Sequence, residues 1–241
     1  MDNVQTRSVE FAPGKTLTLE TGKLARQADG AVVVRQGDTI VLVTACISPD
    51  VREGQSFFPL TVEYKEKYSS GGKIPGGFIK REGRPTDKEI LSARLTDRAI
   101  RPLFHEGFLH EVQVIANVFS ADPDVDADVL AATGASAALL LAGAPFHGPI
   151  AEVRIGRIGG EFVVNPTISQ LDESDFDLVV AGSESAIVMV EGEMKEVSEA
   201  DMVEAFDVAH EAIKKLCALQ RELAAVADTK PIKAFTPIVL P

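Results

Sequence analysis

The chain has 241 residues, 45% of them hydrophobic, and a formal net charge of −12, which is length enough for one sizeable core with at most a smaller unit at one end. No apolar run reaches the roughly 18 residues of a membrane span, and Met1-Asp2-Asn3 opens the chain without the basic and apolar regions of a signal peptide, so a cytoplasmic protein with no membrane partner is expected. A surface of that charge repels phosphates and excludes a general nucleic-acid coat.

Runs rich in β-branched residues at Val9 to Ala12, Leu17 to Glu20, Ala31 to Arg35, Thr39 to Ile47 and Phe57 to Tyr64 predict an antiparallel sheet first, with Gln36-Gly37-Asp38 as a hairpin turn. From Tyr68 the run Ser69-Ser70-Gly71-Gly72-Lys73-Ile74-Pro75-Gly76-Gly77-Phe78 is too rich in glycine for helix or strand and too basic for a buried crossing, so it reads as an exposed loop. Pro85-Thr86-Asp87 then opens a helix that Pro102 ends near Arg101. A strand from Val112 to Ser120 leads into Asp122-Pro123-Asp124-Val125-Asp126-Ala127-Asp128, whose carboxylates suit the N-terminus of the Ala-rich helix ending near Gly143. Strand pairs follow at Ile150 to Ile158 with Glu161 to Val164 and at Leu178 to Ala181 with Ile187 to Glu193, and Ser198 caps a long amphipathic helix reaching about Ala227. The pattern stops after Thr229; residues 1–229 read as one α+β domain with a core around Leu91, Leu139 and Leu216, and 230–241 as a linker.

Cys46 and Cys217 have apolar sequence neighbours and no metal-ligand spacing, so both are expected to be buried free thiols. His105, His110, His147 and His210 are scattered in the sequence, and no metal is assigned to them.

Charge is uneven along the chain. Between Lys65 and Arg101 there are ten basic residues and five acidic ones, a surplus of five inside a chain whose remainder carries −17; a focused basic site on an acidic body draws an anion to one place. The helix from Asp87 sets Arg94, Arg98 and Arg101 at i, i+4 and i+7, within an arc of about 60°, with Leu91, Leu95 and Ala99 on the neighbouring face to hold it against the sheet. Such a stripe can fork onto phosphates or pair internally with Asp97 or Glu89, and spacing alone leaves both readings open. Phe78-Ile79-Lys80-Arg81 joins a ring to two cations beside glycines, the combination that stacks a base and grips its backbone in single-stranded nucleic acid; the plainer reading is a solvated loop with an incidental Phe.

The run Phe78-Ile79-Lys80-Arg81-Glu82-Gly83-Arg84-Pro85, with Ala93-Arg94-Leu95-Thr96-Asp97-Arg98 and Arg101-Pro102-Leu103-Phe104, resembles the first ribonuclease PH-like repeat of the bacterial polynucleotide phosphorylase family. Thr21-Gly22-Lys23-Leu24-Ala25-Arg26-Gln27-Ala28-Asp29-Gly30, Gly134-Ala135-Ser136-Ala137 and Asp177-Leu178-Val179-Val180-Ala181-Gly182 resemble it too. The resemblance implies a ribonuclease PH-like fold (ribosomal protein S5 domain 2-like) and a linker leading to an all-helical domain. It implies a full-length enzyme that shortens RNA from the 3′ end with phosphate, releasing nucleoside diphosphates in mRNA degradation. It also implies a ring-shaped homotrimer whose channel loop corresponds to Phe78, Ile79, Lys80 and Arg81, with Ile79 where a second Phe is usual. Arg84 is an implied RNA contact, Arg94, Arg98 and Arg101 are implied to face the cleft shared with the second repeat, where they could contact RNA phosphates or the attacking phosphate, and degradosome proteins are implied partners.

Competent repeats of that family carry two Asp six residues apart and a Lys two residues after the second, holding a divalent metal beside the leaving oxygen; the matching stretch here is Leu171, Asp177 and Val179. Their serine-rich phosphate turn is matched by Asp126-Ala127-Asp128, where a carboxylate about 5 Å from a phosphate charge costs about 3 kcal/mol at an effective dielectric near 20. The resemblance therefore implies that catalysis and Mg²⁺ belong to the second repeat, with no metal and no complete catalytic set in this one. The alternative is a stand-alone, non-catalytic RNA-binding scaffold subunit of an exosome-like ring. A complete single-repeat tRNA-trimming ribonuclease is disfavoured by Leu171 and Val179.

Overall fold

Strict alternation builds the first sheet. In the computed structural model, which describes residues 3–78 and 80–237, strand β1 (Gln5–Ala12) pairs antiparallel with β2 (Lys15–Thr21), β2 with β3 (Gly30–Gln36), and β3 with β4 (Thr39–Ile47). Gln36 faces Thr39 across a two-residue turn in which Gly37 adopts φ 58°, a left-handed value that glycine takes without strain. Val32, Val34, Val41, Val43 and Ala45 point inward and are fully buried, each strand presenting every second residue to the core.

The last two strands of this sheet depart from the antiparallel expectation. β5 (Leu60–Glu66) lies at the edge, parallel to β6 (Val112–Ser120), while β6 pairs antiparallel with β4, giving the order β1-β2-β3-β4-β6-β5. A parallel pair needs a long crossover, and residues 67–111 supply it, including the glycine-rich loop and helix α1 (Asp87–Ile100). Thr86 caps α1 in a reciprocal box with Glu89, and a 3-10 turn at Arg101–Leu103 follows its end.

The second sheet has the antiparallel order β10-β9-β7-β8, from β7 (Ala151–Ile158), β8 (Glu161–Val164), β9 (Phe176–Gly182) and β10 (Ile187–Met194). Two helices join the sheets. Helix α2 (Asp128–Leu141) packs on β3, β4 and β6 of the first sheet and β7 of the second, and α4 (Glu199–Val226) packs on β1 and β2 as well as β7, β8 and β9. The one-turn helix α3 (Ile168–Leu171) lies between β8 and β9. Almost every residue of α2 is buried, so small side chains are required throughout: a Cβ on Gly134 would lie 2.6 Å from methyls of both Val34 and Val43, and one on Gly30 would lie 2.0 Å from the Ala138 carbonyl oxygen. Hydroxyls stitch α2 to β7, with Ser136 Oγ accepting from Ile150 N at 2.9 Å and Thr133 Oγ1 from Glu152 N at 3.2 Å.

Three expectations are corrected here. The core contains Leu139 and Leu216 but not Leu91, which is 57% exposed; α1 buries Ser92, Thr96, Ala99 and Ile100 instead, because it packs on the edge strand β5 through its small residues. Cys46 is exposed while Cys217 is buried: β4 alternates, so the apolar sequence neighbours of Cys46 face the core and Cys46 faces away. Only Asp128 of the carboxylates meets the first turn of α2, accepting from Val129 N at 2.6 Å, while the N-cap Ala127 has no side-chain bond, so no carboxylate occupies the cap position itself. The segment after Thr229 has neither helix nor strand but is tied down, with Lys230 N donating to Leu141 O at 2.9 Å, Lys233 N to Gly143 O at 2.8 Å, and Phe235 packed edge-on against Phe108.

Candidate nucleic-acid interface

The crossover after β5 carries the basic loop. It is anchored at both ends by carboxylates: Tyr68 N donates to Glu82 at 3.2 Å, and Glu66 N to Glu89, the residue that closes the α1 cap, at 2.9 Å. Between these anchors Phe78 is fully exposed at 103%, beside Ile74 at 88%. Lys80 takes a left-handed φ of 51°, and Lys80, Arg81 and Arg84 are exposed with no ion pair among the described residues. Ile79 lies outside the described residues. Exposed cations without partners, next to an uncovered ring, retain their full capacity for an anionic aromatic ligand.

The arginine stripe divides. Arg94 is exposed and has no ion pair among the described residues. Arg98 pairs with Glu191 of β10. Arg101 donates twice to Asp97 at 2.6 Å, reaches the Phe58 and Leu60 carbonyls at 3.2 and 3.1 Å, and lies 5.8 Å from the Phe58 ring centroid. Its Asp97 fork raises the Arg101 pKa further. The internal-pairing reading therefore describes Arg101 and Arg98, while Glu89 serves the cap. The three arginines line one cleft of about 950 Å³ between β5 and the outer face of α1.

The positions matched to the family's metal set fall on α3 and β9, with Asp177 and Val179 lining a cleft that shares Leu91, Leu95 and Glu191 with the arginine cleft. Leu171 ends α3, Val179 is buried in β9, and Asp177 of β9 points at the guanidinium of Arg154 on β7. Arg154 Nη1 donates to Asp177 at 2.6 Å, and Nη2 donates to Asp128 at 2.6 Å and to Asp126 at 3.2 Å. Lys88 of α1 adds a second cation, 3.3 Å from Asp126 and 2.9 Å from Glu66. Burial raises the Asp128 and Asp177 carboxyls above the usual range, and Arg154 only partly offsets it. Burial alone would lower the Arg154 pKa, but Asp128, Asp177 and Asp126 outweigh it and hold the guanidinium charged. Glu152, two residues before Arg154, is fully buried with no hydrogen-bond partner for either carboxylate oxygen, and burial, with Asp128 adding, pushes its pKa well up.

Arg154 was invisible to sequence reasoning, because nothing local marks a strand arginine whose partners lie 23 to 28 residues away. The fit of a divalent ion to this cluster is poor: the carboxylates already hold a guanidinium, and among the described residues no group of three or more His, Cys, Asp or Glu is arranged to hold a metal ion. The fold also joins His105 and His147, with ring centroids 4.1 Å apart.

Comparison with known proteins bears on the family and the fold. The family model described as "3′ exoribonuclease family, domain 1" matches residues 14–145, taking in the first sheet from β2 onward with α1 and α2, and "3′ exoribonuclease family, domain 2" matches 148–212, the second sheet and the first half of α4. A polyribonucleotide nucleotidyltransferase of Salinibacter ruber is 62% identical over 89% of the chain, and one of Chlorobaculum parvum is 55% identical over 98%. The chain spans about a third of the length of these relatives, 30% and 32%. The crystal structure of rice (Oryza sativa) Rrp46 superposes with a TM-score of 0.70 at 18% identity, covering 93% of this chain and 97% of that one, a likeness of fold. With both domain profiles matched in order over an α+β, ribonuclease PH-like architecture, the chain belongs to the 3′ exoribonuclease family.

Proposed function

We propose that this chain is the RNA-holding first repeat of a phosphorolytic 3′-to-5′ exoribonuclease, a polyribonucleotide nucleotidyltransferase that converts RNA and inorganic phosphate to nucleoside diphosphates in cytoplasmic mRNA degradation. The observation that carries this reading is the loop on which Phe78, Lys80, Arg81 and Arg84 stand exposed, the three cations with no ion partner among the described residues. On a body of net charge −12, such a loop is the place where single-stranded RNA meets unneutralised positive charge and a stacking ring. Ile79 belongs to the same proposed contact. Arg94 extends it along α1, whereas Arg98 and Arg101 reach phosphate only by exchanging Glu191 and Asp97 for it. The family name of the relatives, which this chain matches over a third of their length, supports the reaction class.

Catalysis and the Mg²⁺ it uses belong, on this reading, to the remainder of the protein, because Asp177 here is committed to Arg154 and Asp126 and Asp128 confront any phosphate at the start of α2. Assembly into a homotrimeric ring and docking to degradosome proteins complete the proposal.

The test is binding of a fluorescent single-stranded RNA oligonucleotide by the wild type and by Lys80→Ala/Arg81→Ala at low and moderate salt. The variant is expected to bind more weakly, with the slope of log affinity against log salt reduced by about 1.4, roughly 0.7 for each RNA phosphate left without its cation. Equal affinities and identical slopes would remove the loop from the RNA path.

A further inference from the structure

Three carboxylates from two separate stretches of chain converge on one guanidinium, and they are not satisfied by it. Asp126 and Asp128 come from the approach to α2 and Asp177 from β9; each bonds Arg154 through Oδ2. Of the remaining oxygens, Asp177 Oδ1 is buried without a hydrogen-bond partner, and so is Asp126 Oδ1, which the Lys88 ammonium approaches to 3.3 Å without hydrogen-bonding geometry. Glu152, on the same face of β7 as Arg154 by strand alternation, is fully buried and unpartnered, and Asp128 and Arg154 are its nearest charged neighbours in effect. The Arg154 side chain itself is only 13% exposed. An ordinary structural ion pair matches one cation to one or two anions; here Arg154 and the partly exposed Lys88 face Asp126, Asp128, Asp177 and the buried Glu152.

We infer that Arg154 is the resident cation of a carboxylate site whose chemistry otherwise suits a divalent metal ion, so that the guanidinium replaces the metal and makes this part of the fold metal-independent. The donor set is entirely anionic oxygen, which favours hard ions of the Mg²⁺ and Mn²⁺ class. A guanidinium presents two separate nitrogens at 2.6 Å, Nη1 to Asp177 and Nη2 to Asp128, so the two carboxylates need not share one centre as they would on a single small ion, which accounts for the poor fit of a metal to the cluster as it stands. Removal of the guanidinium leaves repelling carboxylates that a divalent ion can draw together by a shift of about 1 Å, the difference between a hydrogen bond and a metal–oxygen bond of this class. The inference rests on this cluster alone and not on the RNA reading of the loop.

Mn²⁺ is the probe, read by the loss of its free electron paramagnetic resonance signal and by thermal unfolding. The wild-type chain is expected to take up no Mn²⁺ at the cluster and to show no shift in Tm. Arg154→Met is expected to unfold at a lower temperature, to bind one Mn²⁺ per chain, and to recover about 5 °C or more at saturating Mn²⁺, while sodium at equal ionic strength does nothing. Asp177→Asn placed on Arg154→Met is expected to abolish the uptake. The inference is overturned if the wild type binds Mn²⁺ in a manner that Asp177→Asn removes, if Arg154→Met is folded and ignores Mn²⁺, or if Arg154→Met stays unfolded at every Mn²⁺ concentration.

Discussion

Glu152 is the residue whose chemistry is least like its sequence context. It lies in a strand between Ala151 and Val153, both fully buried, and its own carboxyl is buried with them, unpartnered. Desolvation first, and Asp128 second, raise its pKa well above the ordinary carboxylate range. An acid whose folded pKa lies above its unfolded one adds stability that is complete below the unfolded pKa and is lost as pH rises through the folded value. At neutral pH the wild type therefore carries the penalty of holding this group protonated or ionising it in the interior. Glu152→Gln is expected to raise Tm at pH near 8 and to give little or no gain near pH 4, a comparison read by thermal unfolding at the two pH values; an equal gain at both would place the effect in packing. The two thiols differ for a related reason. Cys217 is buried in α4 with its pKa pushed up to about 12 by desolvation, whereas Cys46 stands on the solvent face of β4, so only Cys46 is expected to react with a polar thiol reagent in the folded protein.

At the level of elements, α1 and α2 solve opposite problems. Helix α2 is surrounded, so its sequence is read by size: Gly134-Ala135-Ser136-Ala137 permits β3 and β4 to approach, and its two hydroxyls satisfy β7. Gly134→Ala would press a methyl to 2.6 Å from Val34 and Val43, both fully buried and unable to yield. A loss of about 1–3 kcal/mol is expected, measurable by urea unfolding, and Val43→Ala in the same chain should recover part of it by making room. Helix α1 is only half covered. It buries Ser92, Thr96, Ala99 and Ile100 and leaves Ile90 and Leu91 at 47% and 57% exposure beside the arginines. A helix with exposed leucine and isoleucine next to a large cleft has the character of a surface that another part of the assembly covers, in keeping with the proposed ring.

For the molecule as a whole, charge is separated by topology. The crossover between the parallel strands β5 and β6 carries the basic loop out of the sheet, and Asp126, Asp128 and Asp177 gather with Lys88 and Arg154 in a second cleft of about 620 Å³. Arg154 is held charged by its neighbours, so the cluster carries a cation of its own. On the proposal that Leu171, Asp177 and Val179 form no competent set, the purified 241-residue chain, given poly(A), phosphate and Mg²⁺, is expected to release no ADP above background; robust release would place phosphorolysis in this repeat and overturn the proposed division of labour.

Much of this was legible in one dimension. Alternating and helical periodicities placed the strands and the three long helices found among the described residues, because period 2 and period 3.6 are properties of the local chain; the least accurate bounds are those of β1, which begins at Gln5 rather than Val9, and β5, which begins at Leu60 rather than Phe57 because Pro59 has no N–H to give the ladder. Motif length carried the family, and glycine with basic residues marked the loop. Pairings between distant segments were not legible. That β5 runs parallel to β6, that Arg98 meets Glu191 of β10, that Asp126, Asp128 and Asp177 hold Arg154, and that Glu152 is buried beside them were all decided by the packing of two sheets around α2 and α4. A side chain's period says which way it points from its own element, but the charge it meets there is brought by other elements through the tertiary fold.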